Sequence, residues 1–385
     1  MRTQQHLWKK DSGWDFFELT PNLPASLVLV FGGSDAVRDN LLWKQIRDRY
    51  PGALIVSCST GGEIHDRDVF DDSLSVTAIN FDATEVAAAE ADVAACGTSY
   101  AVGEKLAGQF KRDGLAAMFL LSDGTQVNGS ELIRGIRAKV GEHVVLTGGL
   151  AGDGARFHQT YVGLNRPGEP GKVAAIGFYG NAIQVRHGSY GGWDIFGPER
   201  RITRADNNVL YELDGKPALD LYIRYLGDDA KALPGSALLF PLQIYPAGRP
   251  EKAIVRTVVG IDADKRTMIF AGDVPTGYCA RLMRGNFDNL IEGAATAAQQ
   301  TKKDDITRTL QGDRLGILVS CIGRKLLLGQ RTGEEVEAVS DVLGPDAKLA
   351  GFYSYGEVSP HAATGFTELH NQTMTITTIC EETHA

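Results

Sequence analysis

Three pairs of adjacent residues, each a glycine followed by a carboxylic acid, are the first candidates for chemistry in this sequence. They are Gly62-Glu63, Gly152-Asp153 and Gly356-Glu357. Glycine lets a ligand approach the backbone closely, and a carboxylate in a turn either accepts hydrogen bonds from backbone N–H groups or faces a ligand. The sequence leaves two alternatives open. Either the acids have a structural role that is repeated three times, or the three turns converge and line a pocket.

Arg324 is a further candidate because it directly follows a predicted buried strand, in the segment 320–324 (SCIGR). A guanidinium group at that place either binds a ligand carboxylate through two parallel hydrogen bonds or forms a salt bridge to an acid of a neighbouring unit. Both alternatives stay open. The expected ligand-binding residues are therefore Arg324 and the three glycine–acid pairs.

The eight histidines show no spacing typical of a shared metal ion, so a zinc site is not expected. A single histidine is enough to ligate haem iron, and such a site leaves no spacing signature. His370, which enters the last predicted strand, is the candidate for a haem ligand, and His158, His187 and His361 are the others. The alternative for each is a structural histidine held by hydrogen bonds.

Signatures of common catalytic sites are missing from the sequence: it has no G-x-S-x-G, H-E-x-x-H or G-x-x-x-x-G-K-[ST] motif. The segment 148–154 (GGLAGDG) has the composition of a phosphate-binding loop. A predicted strand follows it, however, rather than the helix whose N-terminus such a loop needs. A tight strand connection is the favoured interpretation, and the chain is not expected to be an enzyme.

Composition limits the class of protein. A chain of 385 residues predicts about two or three domains. The net charge of −9 argues against nucleic acid and anionic membrane surfaces as partners. Five scattered cysteines without a C-x-x-C pair indicate a reducing compartment. The polar N-terminus is unlike a signal peptide, and no apolar run approaches the ~20 residues of a membrane span, so a cytoplasmic protein is expected.

The elements that position the candidate residues form a repeating pattern. A strand at 26–31, a helix at 37–50 and a strand at 53–58 precede the first glycine–acid pair, and a strand at 73–81 follows it. The same order recurs around the second and third pairs, and a degenerate fourth copy is expected at 237–282. The sequence therefore predicts an α/β fold: repeated strand–helix–strand–strand units in mixed sheets flanked by helices, in two related domains.

The remaining segments are less regular. Residues 1–24 are expected to be a polar extension whose aromatic residues pack onto the fold, and 174–190 are expected to form a hairpin. The turn-rich stretch 227–235 is a candidate domain boundary, and 301–314 is a candidate linker.

Several motifs in the same order resemble the FIST family of sensory domains. They are 58–64 (CSTGGEI), 148–154, 213–222 (LDGKPALDLY), 320–324, 351–357 (GFYSYGE) and 369–373 (LHNQT). The resemblance implies a FIST N-terminal domain at 25–227 and a FIST C-terminal domain at 228–380, both serving as a small-ligand sensor in bacterial signal transduction.

Stand-alone members of this size resemble the NosP-type proteins, which bind haem and sense nitric oxide. The resemblance therefore implies haem as the cofactor and nitric oxide as the signal. It also implies a separate histidine kinase or cyclic-di-GMP enzyme as the partner. One alternative is a haem-free sensor of amino acids or similar metabolites, held by Arg324 and the glycine–acid turns. A second alternative is a hydrolase-like enzyme that uses Glu63, Asp153 and Glu357 as acid and base.

Overall fold

The computed structural model describes residues 1–15, 21–233, 235–302 and 312–382. The elements of the first eighty residues are β1 (Arg2–Lys9), β2 (Gly13–Trp14), β3 (Leu27–Gly32), α1 (Ser34–Arg38), α2 (Asn40–Arg49), β4 (Leu54–Ser59), β5 (Glu63–His65), β6 (Asp68–Phe70) and β7 (Ser73–Asn80). The next stretch contains β8 (Glu85–Asp92), α3 (Val93–Cys96), α4 (Ser99–Ala107), β9 (Leu115–Ser122), α5 (Gly129–Val140), β10 (Val145–Leu150), β11 (Val162–Leu164) and β12 (Lys172–Tyr179).

The second half of the chain is organised in two further stretches. The first contains β13 (Ile183–Tyr190), β14 (Asp194–Asp206), β15 (Val209–Leu213), β16 (Lys216–Pro217), α6 (Ala218–Leu226), β17 (Leu242–Pro246), β18 (Ile254–Arg256), β19 (Val258–Asp262), β20 (Thr267–Phe270) and β21 (Tyr278–Arg284). The second contains α7 (Phe287–Gln300), β22 (Arg314–Cys321), α8 (Ile322–Leu328), α9 (Thr332–Leu343), β23 (Ala347–Ser354), β24 (Gly356–Pro360), β25 (Thr367–His370) and β26 (Met374–Glu381). Short 3₁₀ helices lie at Gly227–Ala232, Gly235–Leu239, Pro250–Lys252 and Gly329–Arg331.

The repeat predicted from the sequence is present as three units. In each unit a parallel pair of strands is connected through helices: β3 with β4, β9 with β10, and β22 with β23. An antiparallel strand, β7, β12 or β26, lies on the other side of the first strand of the pair. The predicted class of mixed sheets flanked by helices is confirmed. The predicted helix at 37–50 is divided into α1 and α2 at Asp39, whose carboxylate caps the N–H groups of Leu41 and Leu42.

A short strand at or after each glycine–acid pair joins the sheet of another unit. β5 of the first unit pairs with β23 of the third, β24 of the third pairs with β10 of the second, and β11 of the second pairs with β4 of the first. The exchange closes into a ring. Each of the three sheets thus contains a strand donated by a different unit, and we call the three interlocked units the core.

A fourth sheet interrupts the third unit between β13 and β22. Residues 194–284, called the insert below, form an antiparallel sheet in the order β18-β17-β21-β14-β15-β20-β19, with β16 beside β15. The insert has its own apolar centre, which includes Ile202, Tyr222 and Phe270. The prediction of a fourth repeat at 237–282 is wrong, because these residues form antiparallel strands with no helix between a parallel pair.

Two other predictions are revised by the strand pairing. The expected polar extension contains β1, which pairs with β7 along its whole length, and residues 16–20 of the extension lie outside the described residues. The expected hairpin does not form, because β12 and β13 join different sheets. Most of the candidate linker, 303–311, lies outside the described residues. The predicted boundary at 227 and 228 falls within the insert.

None of the helices in the described ranges is long and apolar enough to cross a membrane.

Candidate functional site

The three glycine–acid turns meet at the centre of the core and are hydrogen-bonded to one another. The contacts are Gly61 N to Tyr353 O at 2.7 Å, Gly152 N to Ser59 O at 3.0 Å, and Tyr355 N to Leu150 O at 3.1 Å. Gly152 is required by this packing, since a Cβ at that position would lie 2.7 Å from Gly61 N and 3.2 Å from Tyr353 O. The turns therefore converge, but they pack backbone against backbone.

Two of the acids, Glu63 and Glu357, have matching environments. Each is buried and accepts a hydrogen bond from the hydroxyl three residues before it, Thr60 in one unit and Ser354 in the other. Each also accepts from the backbone N–H and the hydroxyl of one residue at the start of the next strand of its own unit, Ser73 or Thr373. Burial raises the pKa of Glu63 to about 7 and that of Glu357 to about 8, against the opposing effect of these hydrogen bonds. Both acids connect the turn to a neighbouring strand.

Asp153 has a different role, because a loop of several residues follows it before β11. Its carboxylate accepts the backbone N–H groups of Phe157, His158 and Gln159 and the hydroxyl of Tyr355. Burial raises the pKa of Asp153, but these hydrogen bonds outweigh burial and lower it overall. The carboxylate therefore shapes the loop 154–159. On its outer side Asp153 borders a polar cleft of about 340 Å³ that also contains Arg38, Arg156 and His158.

The loop shaped by Asp153 places one aromatic ring in an unusual position. Phe157 has a φ of 52°, a left-handed backbone that a bulky residue rarely adopts. Its ring stacks on Tyr355, with centroids 4.6 Å apart and planes at 20°. The same Tyr355 hydroxyl donates to Asp153 and accepts from Phe157 N at 3.1 Å. Two turns of different units thus build one aromatic pair.

Arg324 lies in the interior of the third unit. Its Nε and Nη2 donate to Oε2 of Glu335 at 3.0 and 2.8 Å, and its remaining donors reach the carbonyls of Leu290 and Gly191. Glu335 in turn accepts the hydroxyls of Ser320 at 3.0 Å and Tyr353 at 2.7 Å. The structure shows the salt-bridge alternative, and the acid belongs to the same unit rather than to a neighbouring one.

The candidate haem ligand His370 is also an interior residue. Its Nε2 donates to the carbonyl of Ser359 at 2.9 Å, and burial lowers its pKa to about 3. His361 lies parallel to it at 6.1 Å between ring centroids, while His187 lies on β13 and His158 at the polar cleft. In the described ranges no group of three or more histidine, cysteine, aspartate or glutamate side chains is arranged to hold a metal ion.

A cavity of about 680 Å³ lies where the core meets the insert. This volume is within the range of about 300–1,000 Å³ typical of small-molecule sites. The second unit contributes Gly124, Thr125, Val127, Leu150, Ala155 and Phe157. The third unit contributes Cys321, Ile322, Leu326 and Tyr355. The insert contributes Asn208, Gly235, Leu238, Thr257, Val258, Val259, Phe270 and Ala271.

None of the predicted ligand-binding residues lines this cavity in the described part of the chain. The glycine–acid pairs and Arg324 lie behind it and support residues that do line it. Phe157 and Tyr355 are positioned by Asp153. Cys321 ends β22 and caps α8, and Ile322 is the first residue of α8, the helix that carries Arg324. Sequence reasoning missed the lining residues of the insert altogether, since nothing in their spacing shows that the insert packs over the turns.

Polar contacts hold the insert against the core around the cavity. The guanidinium of Arg256 in the insert donates from Nη1 to the carbonyl of Leu369 in the core at 2.9 Å, and its Nε donates within the insert to the carbonyl of Asp273 at 2.9 Å. The amide of Gln372 donates to the carbonyl of Leu238 at 3.1 Å. The amide of Asn128 donates to Asp273 Oδ1 at 2.9 Å. The cavity is thus enclosed by two bodies that are joined by a small number of specific hydrogen bonds.

Comparison with known families gives two matches that together cover most of the chain. The FIST N domain model matches residues 26–216, and the FIST C domain model matches residues 218–360. A search of the curated proteins found no significant match. Among solved structures, the crystal structure of cyanuric acid hydrolase from A. caulinodans is similar at 7% identity and a TM-score of 0.36, over 100% of this chain and 99% of that one.

Proposed function

The chain belongs to the FIST family, whose domains sense small ligands in signal transduction, and we propose that it binds its ligand in the cavity between the core and the insert. The single observation that carries this proposal is the position of the cavity. Its lining comes from two units of the core and from the insert. A ligand that touches both bodies changes the free energy of their contact, which is the physical requirement for a sensor.

The way in which the sensor passes its signal to a partner is inferred from the same geometry. The insert is continuous with the core through two connections, at 190–194 and 284–287. It is otherwise held by apolar packing and by side-chain contacts, which include the hydrogen bonds around the cavity. Ligand binding therefore biases the position of the insert. The partner that reads this change is proposed to be a separate signalling protein, a histidine kinase or a cyclic-di-GMP enzyme, and the sensor is proposed to act without catalysis of its own.

The proposal is tested by screening small molecules for thermal stabilisation of the purified chain. A tryptophan in place of Ala271, which lines the cavity, is expected to abolish stabilisation by any ligand found. Ala263→Trp is the matched control, because Ala263 is exposed in the insert away from the cavity. Far-UV circular dichroism checks that both variants fold. A ligand that stabilises wild type and Ala271→Trp equally would show that the cavity is not its site.

A more specific hypothesis about the ligand is that haem is the cofactor and nitric oxide is the signal. Haem needs an axial ligand, and no histidine is among the described residues that line the cavity. His370 is not among the described lining residues, and its Nε2 could ligate iron only after giving up its hydrogen bond to the carbonyl of Ser359. The residues present do not fit a histidine-ligated haem at this site. An absorption spectrum of the chain with added haem, recorded with and without nitric oxide, is the direct test, since a Soret band that moves with nitric oxide is expected only if haem binds.

The alternative of a hydrolase with Glu63, Asp153 and Glu357 as acid and base has less support. Each carboxylate is occupied by hydrogen bonds within the protein, and none lines the cavity. The amino-acid alternative, in which Arg324 and the glycine–acid turns hold the ligand, also has less support, because none of these residues lines the cavity.

A further inference from the structure

The cavity between the core and the insert is open to solvent and has an apolar rim. Three of its lining side chains, Phe157, Val259 and Leu326, are 43%, 48% and 43% exposed. They are three of the ten large apolar side chains that are exposed in the described part of the chain. Single exposed apolar residues are ordinary on protein surfaces, but several around one concavity form a patch that is typical of a binding site.

The three rim residues come from three parts of the molecule. Phe157 belongs to the loop after β10 in the second unit, Leu326 to α8 in the third unit, and Val259 to β19 in the insert. An apolar group that covers the rim therefore contacts both units of the core and the insert at once. Removing this apolar surface from water favours binding in proportion to the area covered.

The inner end of the cavity is closed by apolar side chains. Leu150 and Ile322 of the core and Phe270 of the insert line the cavity, and each of them is almost fully buried. Since these residues leave almost no surface to solvent, they form the floor, whereas the exposed side chains form the rim. The cavity thus has one closed end and one open end.

Polar side chains on the walls are already bonded within the protein or turned away from the cavity. The hydroxyl of Thr125 donates to Asp123 Oδ1 at 3.0 Å, and the amide nitrogen of Asn208 donates to the carbonyl of Phe270 at 2.8 Å. The hydroxyl oxygen of Thr257 is buried and does not open onto the cavity. These side chains therefore offer a ligand mainly apolar contact.

The two ends of the cavity treat a charged group differently. Among the described lining residues there is no aspartate, glutamate, lysine, arginine or histidine. At the floor a charged group would lose its water without gaining an opposite charge, which is costly. At the open rim the same group keeps its water, and no lining charge selects its sign. A wholly apolar ligand would instead leave part of its own apolar surface in water at the rim.

We propose that the cavity binds an amphiphile with a single polar or charged head. The apolar body lies against the floor and the rim residues Phe157, Val259 and Leu326, and the head group stays in water at the open end. This inference rests on the proposed function of the cavity as the ligand site. It makes the length of the apolar body, rather than the chemistry of the head group, the main determinant of affinity.

Four alkyl probes test the ligand class by isothermal titration calorimetry, at concentrations below those at which they form micelles. Octanoate and octylammonium have heads of opposite charge and are expected to bind within about threefold of each other. Hexanoate lacks two methylene groups and is expected to bind roughly tenfold more weakly than octanoate. Octanedioate carries a second carboxylate at the other end and is expected to bind at least about tenfold more weakly than octanoate.

Saturation-transfer difference NMR of octanoate reports the orientation of the bound chain. The terminal methyl group is expected to receive more saturation from the protein than the methylene beside the carboxylate.

A pair of matched variants tests the rim. Leu326→Ser is expected to weaken octanoate by about three- to tenfold, because it removes apolar contact without disturbing a buried group. Ile223→Ser is the control, since Ile223 is as exposed as Leu326 but lies on α6 and does not line the cavity. Far-UV circular dichroism checks that both variants fold.

The outcomes separate the two proposals. If octanedioate binds as tightly as octanoate while Ala271→Trp abolishes both, the ligand site stands and the amphiphile class is refuted. If no probe binds, the class is refuted, and the site stands only if Ala271→Trp blocks another ligand from the thermal screen. If Leu326→Ser and Ile223→Ser have the same effect on octanoate, the apolar body does not lie on the rim. If the binding of every ligand is insensitive to Ala271→Trp, the cavity is not the ligand site and both proposals fail.

Discussion

Replacement of Glu357 by glutamine is expected to make the protein more stable at alkaline pH and to remove part of its pH dependence. Glu357 is fully buried, and its pKa rises from 4.5 to about 8. The folded protein therefore holds a proton on this carboxyl that the unfolded chain releases above about pH 4.5. The stability contributed by the protonated group is complete below that pH and is lost as the pH rises through about 8. Glutamine is neutral and nearly isosteric, so it never has to ionise. With its carbonyl oxygen toward the two donors of Thr373, its NH2 group donates to the Ser354 hydroxyl, which then acts as the acceptor.

The size of the effect follows from the same pKa values. Each pKa unit corresponds to about 1.36 kcal/mol, so the rise from 4.5 to about 8 corresponds to roughly 5 kcal/mol between the two ends of the range. Glu63, with a pKa raised to about 7 by burial, corresponds to roughly 3 kcal/mol by the same conversion. Glu357→Gln is thus expected to flatten the profile more than Glu63→Gln does. The double variant is expected to be flatter than either.

Urea denaturation followed by circular dichroism, repeated from pH 5 to pH 9, measures these profiles. Glu337→Gln is the control, because Glu337 is exposed on α9 and its replacement removes the same charge without changing a buried group. The infrared band of a protonated carboxylic acid gives a second readout, since it is expected in the wild-type minus Glu357→Gln difference spectrum at pH 6 and to disappear above pH 9. Parallel stability profiles for wild type and Glu357→Gln would refute the argument that burial keeps this acid neutral.

Three further variants test other contacts. Phe157→Gly is expected to be more stable than Phe157→Ala by about 1–2 kcal/mol, because the left-handed backbone at this position penalises a Cβ, and equal urea midpoints would contradict the strain. Arg324→Met is expected to lower the free energy of unfolding by about 3–5 kcal/mol, because it leaves the carboxylate of Glu335 buried without its cation. The double variant with Glu335→Gln is expected to recover part of this loss. If it recovers none, the loss does not come from the ion pair. Arg256→Met removes the hydrogen bond between the insert and the Leu369 carbonyl. Limited proteolysis is therefore expected to cleave the insert faster than in wild type. An unchanged rate of cleavage would show that this contact does not hold the insert.

The repeat and its class could be predicted from the sequence because both depend on local patterns. Short apolar runs, one amphipathic helix and a glycine–acid turn recur in the same order, and each signal lies within a few residues of the next. The ring of exchanged strands could not be predicted in the same way. β5, β11 and β24 are short, and their partners lie between about 100 and 300 residues away in the sequence. No local pattern specifies which of three similar sheets such a strand joins.

The candidate site, like the fold, could be predicted from the sequence only in part. The sequence identified Asp153 and Arg324 as unusual residues, and both are buried and saturated with hydrogen bonds. It did not show that they support neighbouring residues, Phe157 in one case and Ile322 in the other, which line the cavity. The lining residues of the insert, such as Val258 and Phe270, carried no signal of a binding site in the sequence. They line the cavity because the insert packs over the core, and no local pattern specifies that packing.

The architecture also determines which part of the molecule is able to respond to a ligand. A change in the relative position of two core units would have to break the β-ladder of a donated strand, because every sheet of the core contains one. The insert shares no sheet with the core. The described contacts between them are side-chain hydrogen bonds, such as those to Leu369 and Leu238, an ion pair of Arg134 with Asp273, and apolar packing. Moving the insert is therefore the less costly change. Since Val259 lies on the insert and Tyr355 on the core, a ligand that contacts both is placed where a modest binding free energy shifts that equilibrium.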